Sequence, residues 1–328
     1  MPADTVRTAD PTREQFAGDS LASTAKRLFH ATRPKFFPAS IMPVLAGSAW
    51  GFSVAGQFDV AIFAVALLAT MCVHAGANVL NDVGDDSGGT DRRNDMRIYP
   101  YTGGSRFIQT GIMDAAAMAR LGAYLLATAA LAGLFLFLAR GPMILVFGLI
   151  GIALAVLYSL GPVRLAAIGL GETAVAVGLG VLPVTGAAWL QSGVVDASSL
   201  LFSLPVSAWV AAILLINEVP DIEADGATGK RTLPVRLGLR ATSNLYLVIH
   251  VFAVVVIGTL SATGALPWVA PLVPLGLLVL GFRAAAAIRR GVRDRAGMTR
   301  AIEATLGIHT LGSLWLCGTV LVTYWLTT

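Results

Sequence analysis

Two stretches of the chain concentrate side chains that can bind hard cations. Residues 78–91 read NVLNDVGDDSGGTD and hold Asn78, Asn81, Asp82, Asp85, Asp86 and Asp91. Residues 217–231 read NEVPDIEADGATGKR and hold Asn217, Asp221, Asp225 and Lys230. Carboxylates packed this densely repel one another and need cations. An all-oxygen donor set suits a hard divalent ion such as Mg²⁺, which keeps several waters and binds through a few carboxylates plus phosphate oxygens. Asn217, Asp221 and Asp225 recur at i, i+4, i+8, and Asn81 and Asp85 at i, i+4, spacings that gather side chains on one helical face. Each stretch closes a long apolar run, which points to one shared site holding two metal ions.

The elements that carry these faces are membrane helices. The 328 residues are 56% hydrophobic and only 13% charged, where an ordinary soluble domain has about 25% charged residues. Apolar runs fall at 38–54, 60–80, 115–138, 142–160, 165–190, 200–216, 242–260, 268–288 and 304–326. Most approach the roughly 20 residues that cross a bilayer core, and backbone inside lipid must satisfy its own hydrogen bonds. The expectation is an all-α polytopic membrane protein, a nine-helix bundle over residues 33–328. Residues 1–32 form a polar tail, disordered to about residue 20, followed by a short interfacial helix with Leu21, Ala25, Leu28 and Phe29 on one face. The tail lacks the apolar core of a secretory signal.

Nine spans place every one of the 23 Lys and Arg except Arg140 on the same side. The positive-inside rule makes that side cytoplasmic, and both Asp stretches lie on it. The two Cys, Cys72 and Cys317, fall inside spans and read as buried small hydrophobes. The four His are too scattered for a zinc site, and only His74, four residues before Asn78, shares a face with the acids. Between the Asp stretches, Gly103-Gly104-Ser105-Arg106 offers turn-forming glycines and a guanidinium that can close over phosphate oxygens. Glu172 is an unpaired acid inside an apolar run and is expected to face the bundle interior or a cavity.

The two Asp-rich stretches resemble the paired motifs of the UbiA superfamily of intramembrane prenyltransferases, and within it the menaquinone-type branch that prenylates 1,4-dihydroxy-2-naphthoate. Arg33-Pro34-Lys35, the run MPVLAG, TGGSR at 102–106, and LYSLGP followed by GLGE match as well. The resemblance runs from about Arg33 to the C-terminus and departs from the pattern at Pro220, where related chains often carry a basic residue.

The resemblance implies Mg²⁺-dependent transfer of a polyprenyl group from polyprenyl diphosphate to an aromatic acceptor, at the cytoplasmic face of a bacterial inner membrane. It implies Asp82, Asp85, Asp91, Asp221 and Asp225 as metal ligands, with Asp85 and Asp221 indispensable. Asn78, Asn81, Asn217, Lys35, Arg106 and Lys230 are the expected substrate contacts, the last two against the diphosphate. Tyr158 is expected to face the pocket and steady an allylic cation through its ring. Membrane lipid is the surrounding partner, and no nucleic acid is expected. Two alternatives stay open at this level. One is a different aromatic acceptor, of the 4-hydroxybenzoate or homogentisate type. The other is a divalent-cation transporter, against which stands the clustering of the acids at one face instead of along a path across the bilayer.

Overall fold

A computed structural model describes residues 10–160 and 163–328; the first nine residues of the expected disordered tail lie outside the described residues. Every regular element among the described residues is helical. In chain order the α-helices are α1 (Leu21–Ala31), α2 (Pro38–Ala55), α3 (Val60–Ser87), α4 (Thr90–Arg93), α5 (Ala115–Arg140), α6 (Met143–Ser159), α7 (Gly171–Val175), α8 (Leu182–Ser192), α9 (Ala197–Asn217), α10 (Ile222–Ala227), α11 (Leu233–Ala262), α12 (Leu272–Arg290) and α13 (Arg295–Thr327).

Among the described residues, seven helical stretches are long and apolar enough to cross a membrane, the character of an integral membrane protein. The expected count of nine is not reached by that measure. The 17-residue α6 is apolar but shorter than the seven, and α12 and α13 run as one stretch, Leu272–Thr327, turning at Gly291–Asp294. The long exposed side chains are those a lipid-facing surface needs, among them Leu138, Leu149, Val255, Phe282 and Trp325.

Local chemistry sets the helix ends. Asp59, Asp114, Asp196 and Asp294 each accept a hydrogen bond from a first-turn amide of α3, α5, α9 and α13, the N-capping role that short acidic side chains fill. At Asp196 the Ser199 hydroxyl returns a bond to the capping residue, a capping box. Gly56 and Gly193 end α2 and α8 in the left-handed region that glycine enters freely.

Packing depends on small residues. A Cβ built on Gly47 would lie 2.1 Å from the carbonyl oxygen of Val184, and one on Gly51 would lie 2.4 Å from that of Ala188, so α2 and α8 touch backbone to backbone along an i, i+4 glycine pair. Between α7 and α8 the chain widens into a π-helical turn, Ala176–Val181, just ahead of Pro183, which has no amide to donate back along the helix. Gly180 in that turn abuts Ser207 of α9. The main core gathers Trp50, Phe202, Val206, Trp209, Ile257 and Leu316. A second core, with Ile98, Leu215, Ile216, Tyr246, Ile288 and Met298, underlies the end of the bundle where the acidic segments converge.

α1 exposes Leu21 and Phe29 and is capped by Ser20, as an interfacial helix requires. Ahead of it, Phe16 stacks edge-on against Phe107, and Asp10 pairs with Arg97, so residues 10–16 lie against the loop 94–113.

Candidate active site

α3 runs seven residues past the apolar run that ends at Leu80, and this extension carries the first acidic stretch. Asn78, Asn81 and Asp85 face a cavity from it, and Asp91 joins them from α4 after the turn at Gly88-Gly89. The second stretch is built differently from its spacing. α9 stops at Asn217, residues 218–221 form a turn, and α10 starts at Ile222. Pro220 sits in that turn, where its missing amide breaks no helical bond. Asn217, Asp221 and Asp225 therefore do not share one continuous helix, yet all three line the same cavity as Asp85 and Asp91.

Around these acids the polar contacts cross between segments. The Lys230 ammonium lies 2.7 Å from Asp85 Oδ1 and 3.3 Å from Asp225 Oδ1, joining the two stretches. Asn81 Nδ2 donates to Asp85 Oδ2 at 3.2 Å and to the Ser159 hydroxyl at 3.0 Å. Asn94 Nδ2 donates to Asp221 Oδ1 at 2.6 Å. The Arg33 guanidinium contacts Asp82 and donates to Asn81 Oδ1 at 3.3 Å, leaving its Nε without a partner.

The loop 102–106 ties the two stretches together through its backbone. Gly103 N–H donates to Asp221 Oδ2 at 3.3 Å, and Ser105 N–H donates to Asp82 Oδ2 at 3.0 Å. This requires Gly103 and Gly104 at φ of +71° and +78°, and a Cβ on Gly104 would lie 2.8 Å from Asp91 Oδ2. The Gly103 and Ser105 amides are thus spent on protein carboxylates.

Asp85, Asp91, Asp221, Asp225, Asn78, Asn81, Asn217, Lys230 and Tyr158 all line this one cavity. Three expected residues do not. Asp82 is buried beneath it, held by Arg33 and Ser105. Arg106, whose backbone is left-handed, turns its guanidinium to the Asp91 carbonyl and, at 3.7 Å, to Asp10. Lys35 lies over the Tyr101 ring, 5.0 Å from its centroid. Arg33, two residues before Lys35, takes the place facing the acids. His74 lines the cavity and shares a 3.1 Å hydrogen bond with Ser40. Asn94 and Glu218 line it too. Glu218 lies inside the second acidic stretch and was legible there by type; Asn94 carries no signal in spacing or pattern.

Burial governs the ionisation of the acids outside the spans. It raises Asp91 to about 7, aided by the charge of Asp85. Asp225 is likewise raised by burial to about 7, against the opposing pull of Lys230. Asp221 is raised by burial although Asn94 and Lys230 favour its charged form. Burial lifts Glu218 well above the carboxylate range, and Glu172 beside it adds to the effect. Burial pulls Lys230 down, but Asp85 and Asp225 outweigh it and the ammonium is held charged. Among the described residues, five carboxyls, Asp85, Asp91, Glu218, Asp221 and Asp225, line the cavity against two cations, Arg33 and Lys230.

Away from the acids the wall turns apolar, with Phe36, Leu154, Val175, Leu179, Val210 and Ile213 around about 1280 Å³ of space not filled by atoms. Val73, Gly151, Gly178 and Leu179 also line a second, almost wholly apolar cavity of about 710 Å³ between α3, α5, α6 and α8. A charged head and a long apolar body can lie along this pair of cavities.

Known proteins share the sequence and the fold. The chain is 35% identical over 263 residues to the 1,4-dihydroxy-2-naphthoate octaprenyltransferase of Mycobacterium tuberculosis, covering 79% of this chain and 85% of that protein. It is 33% identical over 221 residues to the protein of the same name from Haemophilus influenzae, covering 65% of this chain and 70% of the relative. A UbiA homologue from Aeropyrum pernix superposes with a TM-score of 0.66 at 17% identity over 88% of this chain and 97% of that one. One from Archaeoglobus fulgidus, bound to DMAPP and Mg²⁺, superposes with a TM-score of 0.65 at 16% identity over 89% and 99%. The model of the UbiA prenyltransferase family matches residues 40–301, a range that takes in both acidic stretches and the loop that joins them, and the chain belongs to that family of prenyltransferases.

Proposed function

We propose that this prenyltransferase moves a polyprenyl group from polyprenyl diphosphate to 1,4-dihydroxy-2-naphthoate, with Mg²⁺, at the cytoplasmic face of a bacterial inner membrane. The observation that carries the reading is the convergence of two acidic segments, Lys230 and Arg33 on one cavity that continues into an apolar one. The acceptor is read from the names of the relatives.

The donor set fits Mg²⁺. It is all oxygen, and burial raises Asp91 and Asp225 to about 7, so that a bound cation would favour their charged form. Mg²⁺ takes one or two carboxylates and completes its shell with water and substrate phosphate. Asp85 and Asp91 from one stretch and Asp221 and Asp225 from the other would hold two such ions. Bound Mg²⁺ neutralises the negative charge that develops on the departing diphosphate.

The chain's own residues do the rest. Lys230 and Arg33 add fixed positive charge at the diphosphate. Asn78, Asn81 and Asn217 orient its oxygens. Tyr158 turns its ring toward the carbon that loses the diphosphate and favours developing positive charge there. The apolar cavity holds the isoprenoid tail and excludes water from the allylic cation until a ring carbon bonds to it; the ring then loses a proton, and its carboxylate leaves as CO2 with a proton taking its place. Tail, head and acceptor then enter from a bundle read as nine membrane passes, with α6 as the fourth and α12 and α13 as the last two.

The test is transfer by the purified protein, in detergent or bilayer, with Mg²⁺, polyprenyl diphosphate and a panel of hydroxylated aromatic acids. The naphthoate should react best, and Asp85→Ala and Asp221→Ala should each lose transfer while still folding. Near-normal activity in either variant would remove the metal assignment. Preference for a 4-hydroxybenzoate or homogentisate acceptor would change the acceptor and keep the rest.

A further inference from the structure

Two buried acids have no part in the site as described so far. Glu218 follows Asn217 at the end of α9 and lines the cavity, 7% exposed; Glu172 opens α7, 5% exposed. A Cβ on Gly171 would lie 3.6 Å from Glu218 Oε1, so the Glu218 carboxyl rests over the first residue of α7, beside Glu172. Both oxygens of Glu172 and Oε2 of Glu218 are buried and meet no hydrogen-bond donor among the described residues. Lys230 reaches Asp85 and Asp225 and makes no ion pair with Glu218. Buried polar atoms are nearly always partnered, so a bare acceptor at a cavity wall calls for a ligand that supplies the donor.

The surroundings say which kind. Ala166, Ala174, Val175 and Leu214 line the cavity near this pair, and Tyr158 lines the same cavity. An apolar wall with one hydrogen-bond acceptor matches a flat aromatic molecule bearing a hydroxyl, and not a diphosphate, which the negative pair repels. Glu218 lines the cavity and Glu172 lies behind it at the start of α7, so Glu218 presents the acceptor oxygen while Glu172 fixes its orientation.

We propose that Glu218, positioned by Glu172, accepts a hydrogen bond from a ring hydroxyl of the aromatic acceptor and so selects hydroxylated rings. This rests on the aromatic-acceptor reading above. It makes Glu218 a binding residue on the acceptor side and Glu172 a positioning residue behind it.

The experiment compares wild type, Glu218→Met, Glu218→Gln and Glu172→Gln. Donor affinity is measured without acceptor, in the presence of Mg²⁺. KM is measured for a hydroxylated aromatic acceptor and for its O-methyl ether. Glu218→Met should raise the KM for the hydroxylated acceptor about tenfold, the effect of one hydrogen bond to a charged group, and leave donor affinity nearly unchanged, which also reports a folded site. It should erase the preference for hydroxyl over methyl ether. Glu218→Gln keeps one oxygen and should recover part of both, and Glu172→Gln should shift KM in the same direction with less change in kcat. Unchanged acceptor KM in Glu218→Met, or an equal fall in donor affinity, overturns the assignment. If wild type prenylates naphthoates and their methyl ethers alike, the hydroxyl contact is absent and the proposal fails alone. If wild type binds donor but prenylates no aromatic compound, the functional reading itself fails.

Discussion

At the scale of single residues, the site separates groups that face the substrate from groups that build the wall. Arg33 and Arg106 are both buried guanidiniums whose pKa burial lowers, yet they do different work. Arg33 lines the cavity, whereas Arg106 lies outside it and turns its guanidinium to the Asp91 carbonyl and Asp10. Arg33→Met should therefore weaken polyprenyl diphosphate binding by about tenfold, the worth of a hydrogen bond to a charged group in a shielded place. Arg106→Met should lower thermal stability by loosening the loop 94–113 and change donor affinity less. Arg92→Met is a control, since Arg92 is exposed and pairs with Asp86 at the surface. Isothermal donor binding beside thermal unfolding in detergent separates the effects, and a larger donor defect in Arg106→Met would reverse the two roles.

At the scale of elements, the cavity keeps its shape because helices approach more closely than ordinary side chains allow. α2 and α8 meet through Gly47 and Gly51, and α8 carries part of the apolar wall through Leu182, Pro183 and Gly186. Gly47→Ala places a methyl 2.1 Å from a backbone oxygen, so the helices must part. Overpacking of this kind costs about 1–3 kcal/mol. Gly258→Ala makes the same change in α11, where a Cβ meets nothing within 4 Å. There the higher helix propensity of alanine should be neutral or stabilising, by up to about 1 kcal/mol. Unfolding midpoints should therefore move in opposite directions. A Gly47→Ala protein as stable as wild type would mean that the close α2–α8 contact is not needed.

At the scale of the whole molecule, the acids, the basic loops and the polar cavity gather at one end of the bundle, while Asp59 and Arg140 pair at the other, 2.7 Å apart. The asymmetry of positive charge predicts that the acidic end faces the cytoplasm. Single cysteines introduced in a background lacking Cys72 and Cys317 test this in intact cells. Arg290→Cys should resist impermeant thiol reagents applied from outside, and Val195→Cys, exposed beyond α8, should react. Labelling of Arg290→Cys from outside would invert the orientation and move the active site to the other face.

The sequence by itself determined the all-helical class, most helix positions, the family and the acids that meet. Apolar runs near membrane length leave the backbone few other ways to satisfy itself, and paired acidic motifs at the ends of such runs are rare enough to be specific. Boundaries slipped where hydropathy stops but hydrogen bonding continues: α3 goes on through polar residues to Ser87, and α13 starts at Arg295, ahead of its apolar run. Spacing also misjudged the second acidic stretch, since i, i+4 arithmetic assumes a helix that the turn at 218–221 interrupts. Only the tertiary structure decided which cation faces the cavity. Arg33, Lys35 and Arg106 are equivalent in type, and their directions follow from local backbone and from the partners each meets: Asp82 and Asn81, Tyr101, and Asp10 with the Asp91 carbonyl. The pairing of Glu172 with Glu218 was equally invisible in sequence, because it arises where α7 packs against the end of α9, and the contact between distant helices is set by the packed bundle.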